Sequence, residues 1–508
     1  MQFWDASRSL TSMLHEHPAL RTGLLVLGAL ALGLVAGAMV TLAPVWVGFA
    51  ALVALVGGYA MLRSALVSLA AVFAVITLLP FGTLPFKAAF TPTFLELTLV
   101  VLIAVWGLRQ LAIPEYELRI SPLGGPVLIF LGLTIFSLLL GANGLPDNLT
   151  LHNYLKFVLG VLLFFSVLNT VRTPADLRCA LRALIIGGAS AAALGIVLRQ
   201  INPQTALRIL VAFGRVGYPT SGRVLRYIED DPARAERAIG LSVDPNSFAG
   251  LLALLCALSV SQLWARRPVL PRWTIALSTL LLAVCTVLTQ SRGALYGLLA
   301  ATIWLALVRD RRIWWLLLGG ALFVVLDTVA GLGIVSRVID IKRFVQGVQF
   351  QDLAQQMRLA EYRNAIAIIL RYPVFGVGFG AGPELGLITG VSSIYLAIAE
   401  RIGLVGLASF AVIMLTFFVI TLRRARSLPE EPRSVLVGVQ AGIVAALTVG
   451  IADHYFFNIE FAHMVALFWG VVALGMAALY TSQAPATPPS PPLPTWERGS
   501  GGLTKEPQ

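Results

Sequence analysis

RRPVLPRWTIALSTLLLAVCTVLTQSRGALYGLLAATIWLALVRDRR, residues 266–312, holds the reading that decides the fold. Two apolar runs, 273–289 and 293–308, meet at Thr289-Gln290-Ser291-Arg292-Gly293, and arginines stand at both outer ends: 266, 267 and 272, then 309, 311 and 312. Neither run alternates apolar with polar residues, as a lipid-facing barrel strand does. In hydrocarbon every backbone N–H and C=O needs a partner within its own segment, so a continuous apolar run of this kind is a helix. The stretch reads as a helical hairpin with its basic ends together and one arginine, Arg292, at its tip.

The same pattern repeats outward. With about twenty apolar residues needed per span, runs lie near 22–41, 44–62, 64–80, 93–112, 126–141, 154–171, 177–198, 247–265, 273–289, 293–308, 313–331, 393–421, 434–452 and 461–480. The expected fold class is all-α, a polytopic transmembrane helix bundle of about 12 to 14 spans. Composition agrees: of 508 residues, 58% are hydrophobic and 12% charged, and the mean hydropathy is +0.85. A soluble domain carries about 25% charged residues. These values exclude a disordered chain, an ordinary water-soluble enzyme and a disulfide-stapled scaffold. Cys179, Cys256 and Cys285 stand singly in apolar stretches and read as small buried hydrophobes. The five histidines show no paired-ligand spacing, so no metal site is expected. The net charge of +12 is scattered along short loops, which argues against nucleic acid as a partner and for the lipid bilayer.

Loop charges set an orientation. One alternate set of short loops carries Arg63, Arg109, Arg119, Arg172, Arg178, Arg182, Arg266, Arg267, Arg272, Arg309, Arg311, Arg312, Arg423, Arg424, Arg426 and Arg433. The other set carries only Lys87 and Arg292. By the positive-inside rule the first set is cytoplasmic and both termini lie inside. The expected organisation is then N-terminal helices over 1–198, a long external loop over 199–246, central helices over 247–331, a second long external loop over 332–392, C-terminal helices over 393–480 and a Pro-rich disordered tail over 481–508. A helix is expected inside the second loop, from Asp352 to Leu370, ending at Tyr372-Pro373. The first external loop carries seven arginines and the second Arg337, Lys342, Arg343, Arg358, Arg363 and Arg371. Two readings stay open for them: solvated local ion pairs with neighbours such as Glu229, Asp230, Asp231 and Glu236, or capture of a phosphate-type anion. Glu96, Lys156, Asp327 and Glu400 lie inside runs and toward their outer ends on this topology. Ionisable groups in spans mark functional sites or snorkel from helix ends.

Three stretches carry a family resemblance. They are Arg237-Ala-Ile-Gly-Leu-Ser-Val-Asp-Pro-Asn-Ser-Phe-Ala; Leu288-Thr-Gln-Ser-Arg-Gly-Ala; and Arg358, Tyr362, Tyr372-Pro373, Gly376 and Gly378, followed by Ser392-Ser-Ile-Tyr-Leu and Glu400-Arg-Ile-Gly-Leu-Val-Gly. In this order, between membrane helices and over roughly residues 150–480, they resemble the O-antigen ligase and Wzy-type O-antigen polymerase family. The resemblance implies a GT-C-like, metal-independent glycosyltransferase without a cofactor in the bacterial cytoplasmic (inner) membrane. Its donor would be an undecaprenyl-diphosphate-linked glycan and its acceptor a glycan or glycolipid. It also implies that Arg237 and Arg292 hold the diphosphate and that Arg358 is the basic residue of the loop helix. Candidate catalytic residues are Arg237, Arg292, Ser392 and Glu361; candidate substrate-binding residues are Arg358, Asp244, Asn246, Ser291, Tyr395 and Glu400. Family ligases carry a histidine as proposed base where this chain has Ser392. A serine is no base at neutral pH without a partner, so either another group does the job, or the transition state is dissociative enough to need little base help, or the reaction differs from ligation. Glu361, Glu384, Glu400 and the pair Asp453-His454 are the candidate substitutes, none of them preferred. Tyr154, Tyr218, Tyr227 and Tyr395 are candidates for stacking on sugar rings. A lipid-linked glycan flippase or another polytopic transporter is the competing class.

Overall fold

The computed structural model describes residues 45–84, 90–112, 117–139, 146–331, 333, 353–380 and 390–481. The first expected run, 22–41, lies outside them, as do Lys87, Arg337, Lys342, Arg343, Glu384 and the Pro-rich tail beyond Thr481. Regular structure among the described residues is helical, with two isolated β-bridges, Thr83 to Thr93 and Tyr227 to Glu236. The first helices are α1 (Val45–Arg63), α2 (Ala65–Leu78), α3 (Phe94–Ala112), α4 (Gly124–Leu139) and α5 (Asn148–Thr170). The central ones are α6 (Pro174–Gln200), α7 (Pro203–Ala212), α8 (Pro245–Leu263), α9 (Arg272–Leu288), α10 (Arg292–Val308) and α11 (Ile313–Val329). Then follow α12 (Leu353–Arg371), α13 (Ile394–Ala425), α14 (Glu430–Ala452) and α15 (Ala462–Thr481).

Each expected run from 44–62 onward coincides with a helix. Among the described residues seven segments are long and apolar enough to cross a bilayer, and six shorter apolar helices accompany them. The chain is a polytopic helical membrane protein. α1 belongs to a compact unit of its own, Met1–Ser64, in which the Arg63 guanidinium lies 5.1 Å over the Tyr59 ring. The second unit, Ala65–Gln508, holds the bundle.

At the bundle's centre α15 is buried along its whole length and packs on α5 and α14, while α14 also packs on α8 and α10. Lipid tails are as apolar as leucine, so helices associate in a membrane by close packing more than by the hydrophobic effect, and small residues line their contacts. Gly297 shows this on α10: a Cβ there would lie 2.9 Å from the Ala445 carbonyl oxygen of α14. Outer helices instead turn large apolar side chains outward, such as Leu108 on α3, Ile129 on α4 and Val329 on α11.

Helix ends sort into two groups. At one end Arg178 pairs with Glu431 and Arg309 with Glu430, each at 2.5 Å, and Arg119 donates to the Val171 and Arg172 carbonyls. Arg182 donates to the Val269 carbonyl at that same end. All of these lie in the arginine-rich short loops or the helix turns beside them. The N-termini of α3, α5, α8, α10 and α13 and the C-termini of α9 and α14 form the other end. That grouping is what alternate crossing requires.

The two long loops are more built than sequence indicates. In the first, α7 and the stretch after it close a small core of Leu198, Leu210, Tyr218, Val224, Ile239 and Leu241. Its chain then doubles back, Arg237 N–H donating to the Arg226 carbonyl and Ile228 N–H to that of Ala235. The second loop contains α12, as expected, and its turn at Tyr372–Gly378 docks on a break in α13. There Gly403 has φ +73°, and a Cβ would lie 1.9 Å from the Val374 carbonyl oxygen.

Candidate active site

The first-loop arginines divide. Arg223 pairs with Asp230 at 2.7 Å and Arg234 with Glu229 at 2.8 Å, on exposed surface where such pairs contribute little. Arg226 and Arg237 turn inward instead. The doubled-back chain sets them side by side, and the first turn of α8 receives both. Arg226 Nη2 lies 3.2 Å from Asp244 Oδ2, and Arg237 Nη2 donates to Asn246 Oδ1 at 2.5 Å. Asp244 is also the N-cap of α8, its Oδ1 accepting from the Asn246 and Ser247 amides at 2.8 and 2.9 Å. Asp-Pro-Asn therefore has local work: Asp caps, Pro occupies the first helical position where no N–H is needed, and Asn orients an arginine. Arg237 Nε further donates to the Thr289 carbonyl at 2.7 Å, which ties the first loop to the end of α9.

Next to Thr289, Ser291 is buried at the N-cap position of α10, and Arg292 opens that helix half-buried. Two non-glycine residues with left-handed backbone stand before these motifs, Val243 (φ 61°) and Gln290 (φ 56°). For a β-branched valine this conformation is an outlier that costs on the order of 1–3 kcal/mol, and such residues concentrate at functional sites.

From the second loop α12 contributes Arg358, Glu361 and Tyr362. Arg358 Nη2 pairs with Asp453 Oδ1 at 3.1 Å, just past the C-terminus of α14. Glu361 Oε2 accepts the Ser392 amide at 3.0 Å, and the Tyr362 hydroxyl reaches the Ser392 and Ile451 carbonyls, each at 3.0 Å. α12 is thereby held across the ends of α13 and α14. Asp453 Oδ2 is buried, has no hydrogen-bond partner among the described residues, and lies 3.0 Å from where a Cβ on Gly293 would stand. Glycine after Arg292 is what lets this carboxylate sit against the first turn of α10.

Electrostatics joins these groups into one site. Burial, the largest cause, pushes the Asp453 carboxyl up to about 7; Arg358 and Arg237 oppose the rise, and Asp244 and Glu361 add to it. A carboxyl poised there cancels only part of the Arg358 charge near neutral pH. His454, the next residue, is held below the usual imidazole range by burial first, with Asp244 and Glu361 pulling up and Arg358 and Arg401 pushing down. The buried Tyr455 hydroxyl is raised, chiefly by burial, and hydrogen-bonds with Asp244 and Asn246.

Beside this cluster lies a cavity of about 350 Å³ whose lining includes Glu361, Ser392, Arg401, His454, Asn458 and Glu460. Arg401 is one residue that sequence reasoning missed; its Nη1 donates to the Gly378 and Gly380 carbonyls at 3.1 and 3.2 Å. The only signal for it was its place after Glu400. Among the described residues no group of three His, Cys, Asp or Glu side chains is placed to hold a metal ion.

Other candidates make contacts within the bundle. Tyr395 hydroxyl donates to the Leu447 carbonyl of α14 at 2.8 Å, and buried Glu400 accepts the Gly390 amide at 3.1 Å. Tyr154 is buried against Thr134, 2.8 Å away, and Tyr218 lies in the small loop core. Glu96 closes a capping box with Thr93 at the start of α3 and meets His152 Nε2 at 2.5 Å. Lys156 lies within the field of Glu96 and Glu460.

No curated protein matches the chain. Residues 277–411 match the family model described as O-Antigen ligase. That segment runs from α9 across the Thr289–Gly293 turn, α12 and the turn it precedes, into α13, and so contains Arg292, Arg358, Glu361, Ser392 and Arg401. This match supports an O-antigen ligase family assignment.

Proposed function

We propose that the protein is a membrane glycosyltransferase that transfers or polymerises glycan from an undecaprenyl-diphosphate-linked donor at the outer face of the bacterial cytoplasmic membrane. The observation that carries the reading is the gathering of Arg237 and Arg358 at one end of the bundle, held by Asn246, Thr289 and Asp453, with Arg292 opening α10 against the same carboxylate. In the reaction the bond from the anomeric carbon to the diphosphate oxygen breaks, and the electron pair leaves with the diphosphate. Guanidinium groups stay charged at all working pH and present paired N–H donors to phosphate oxygens. They stabilise the charge that develops on the leaving oxygen, where preorganised donors act most strongly. The N-termini of α8 and α10 present their positive ends at the same place. The acceptor is a glycan or glycolipid hydroxyl.

Arg292→Ala and Arg237→Ala test the reading. Each is expected to lower product by about 10²–10³-fold, as loss of one such donor does, with normal amounts of protein in the membrane. Normal product length and yield in both variants would refute it. Sealed vesicles that move the lipid-linked glycan across the bilayer without forming glycosidic bonds would establish the transporter class instead. Surface glycans of a deletion strain separate the two enzymes: single repeat units still attached to their acceptor indicate a lost polymerase, and accumulated carrier-linked polymer a lost ligase.

A further inference from the structure

The cavity beside the arginine cluster is lined by Glu361 of α12, the start of α13 and the residues just before it, and the turn between α14 and α15. Its lining mixes carboxylates (Glu361, Glu460), a guanidinium (Arg401), an amide (Asn458) and a hydroxyl (Ser392) around about 350 Å³. Donors and acceptors of both charge signs, beside the apolar Phe379, Phe457 and Ile459, suit a polyhydroxylated sugar, and the volume falls in the usual range for small-ligand sites. Two consecutive residues link this cavity to the arginine cluster: Asp453 faces Arg358, and His454 lines the cavity.

The His454 ring stacks on Tyr455, with centroids 4.8 Å apart at 30°, and meets the edge of Phe461. Its Nδ1 is buried and has no hydrogen-bond partner among the described residues. A buried polar atom without a partner demands an explanation, and an absent ligand or water is one. Of the other basic groups nearby, Glu361 accepts the Ser392 amide, Asp453 Oδ1 faces Arg358, and Glu460 lies in the field of Lys156 and Arg401.

We propose that this cavity binds the acceptor sugar and that the His454 imidazole takes the proton of its attacking hydroxyl. This rests on the glycosyltransferase reading and adds to it a site for the second substrate. In the step, a lone pair of the hydroxyl oxygen forms the bond to the anomeric carbon while the carbon–oxygen bond to the diphosphate breaks. The hydroxyl proton passes to the imidazole, and the imidazolium later releases it to water. Burial supports the role, because it keeps the ring neutral, and so basic, through the physiological range. The charged groups that face it are Asp244 and Glu361, which favour the imidazolium, and Arg358 and Arg401, which oppose it.

The test uses the full-length protein reconstituted in vesicles of bacterial phospholipid, with carrier-linked glycan extracted from a deletion strain as donor and acceptor. New glycosidic bonds and retained carrier lipid are measured separately. His454→Asn is expected to lower bond formation by about 10²-fold or more, the usual contribution of general-base catalysis, with carrier retention unchanged. In His454→Gly, added imidazole is expected to restore bond formation at least about tenfold, which a packing role for the ring does not allow. Should one variant fail to fold, the other and the wild-type profile decide; wild-type bond formation is expected to fall on acidification, below the ordinary imidazole range. Bond formation in His454→Asn within about threefold of wild type, or a folded His454→Gly that imidazole leaves unchanged, overturns the base while the glycosyltransferase reading stands. Wild-type protein that retains carrier lipid but forms no glycosidic bond under any condition overturns both.

Discussion

Asp453 concentrates the residue-scale physics of the site. It is buried, one oxygen faces Arg358 and the other has no partner among the described residues, and its carboxyl is raised to about 7. The sign follows from linkage: the folded state binds this proton more tightly than the unfolded chain, so the contribution is complete below the ordinary carboxylate range and is lost as pH rises through about 7. Asp453→Asn cannot titrate. Its thermal midpoint in detergent is therefore expected to gain on wild type between pH 5 and pH 8, and a constant difference would contradict the assignment. Asn246 makes a second case. Asn246→Ala removes the 2.5 Å contact that aims Arg237 but leaves the contact to Thr289. About a tenfold loss of product is expected from losing one charge-assisted hydrogen bond, smaller than for Arg237→Ala, read by gel analysis of surface glycan.

At the scale of elements, the junction of α13 with the Tyr372–Gly378 turn positions the cavity wall. Val377 and Gly378 amides donate to the Glu400 and Arg401 carbonyls, and the Leu404 amide donates to that of Pro373. These bonds require the helix to open at Gly403, whose φ of +73° and ψ of −179° are accessible to glycine almost alone. Gly403→Ala is expected to cost about 3 kcal/mol or more, from backbone strain and from the clash with the Val374 carbonyl. The check is a lowered thermal midpoint in detergent together with faster proteolysis near residue 374. The helix over Leu353–Arg371 was readable from its polar, helix-forming composition and the Tyr372-Pro373 stop. Its attachment was not, because Glu361, Tyr362 and Arg358 bond to residues 30 to 95 positions away.

For the whole molecule, the two groups of helix ends make a prediction about sidedness. Single cysteines placed at Arg311 and Ser427 are expected to react with a membrane-impermeant maleimide only after the cytoplasmic side is opened, and one at Gly222 in intact spheroplasts. The opposite pattern would invert the orientation inferred from loop arginines. The thirteen runs from 44–62 onward were legible because bilayer thickness and backbone satisfaction leave few alternatives for long apolar segments. The long loop over 199–246 was less so. Its polar composition reads as solvated chain, whereas six apolar residues spread from Leu198 to Leu241 close a small core that only the folded path assembles.

The apolar helices and the motifs holding Arg237, Arg292 and Arg358 were thus determined by the sequence itself, since they depend on local hydropathy and short spacing. Which arginines are solvated and which are aimed inward was decided by tertiary structure. Arg223 and Arg234 pair with carboxylates on exposed loop, while Arg237 and Arg358 meet groups on distant helix ends. The placing of His454 in a cavity with Ser392 was decided there too. The physical reason is the same in each case: charge pairing and burial depend on distance in space, and residues 62 positions apart along the chain become neighbours only once α12, α13 and α14 pack.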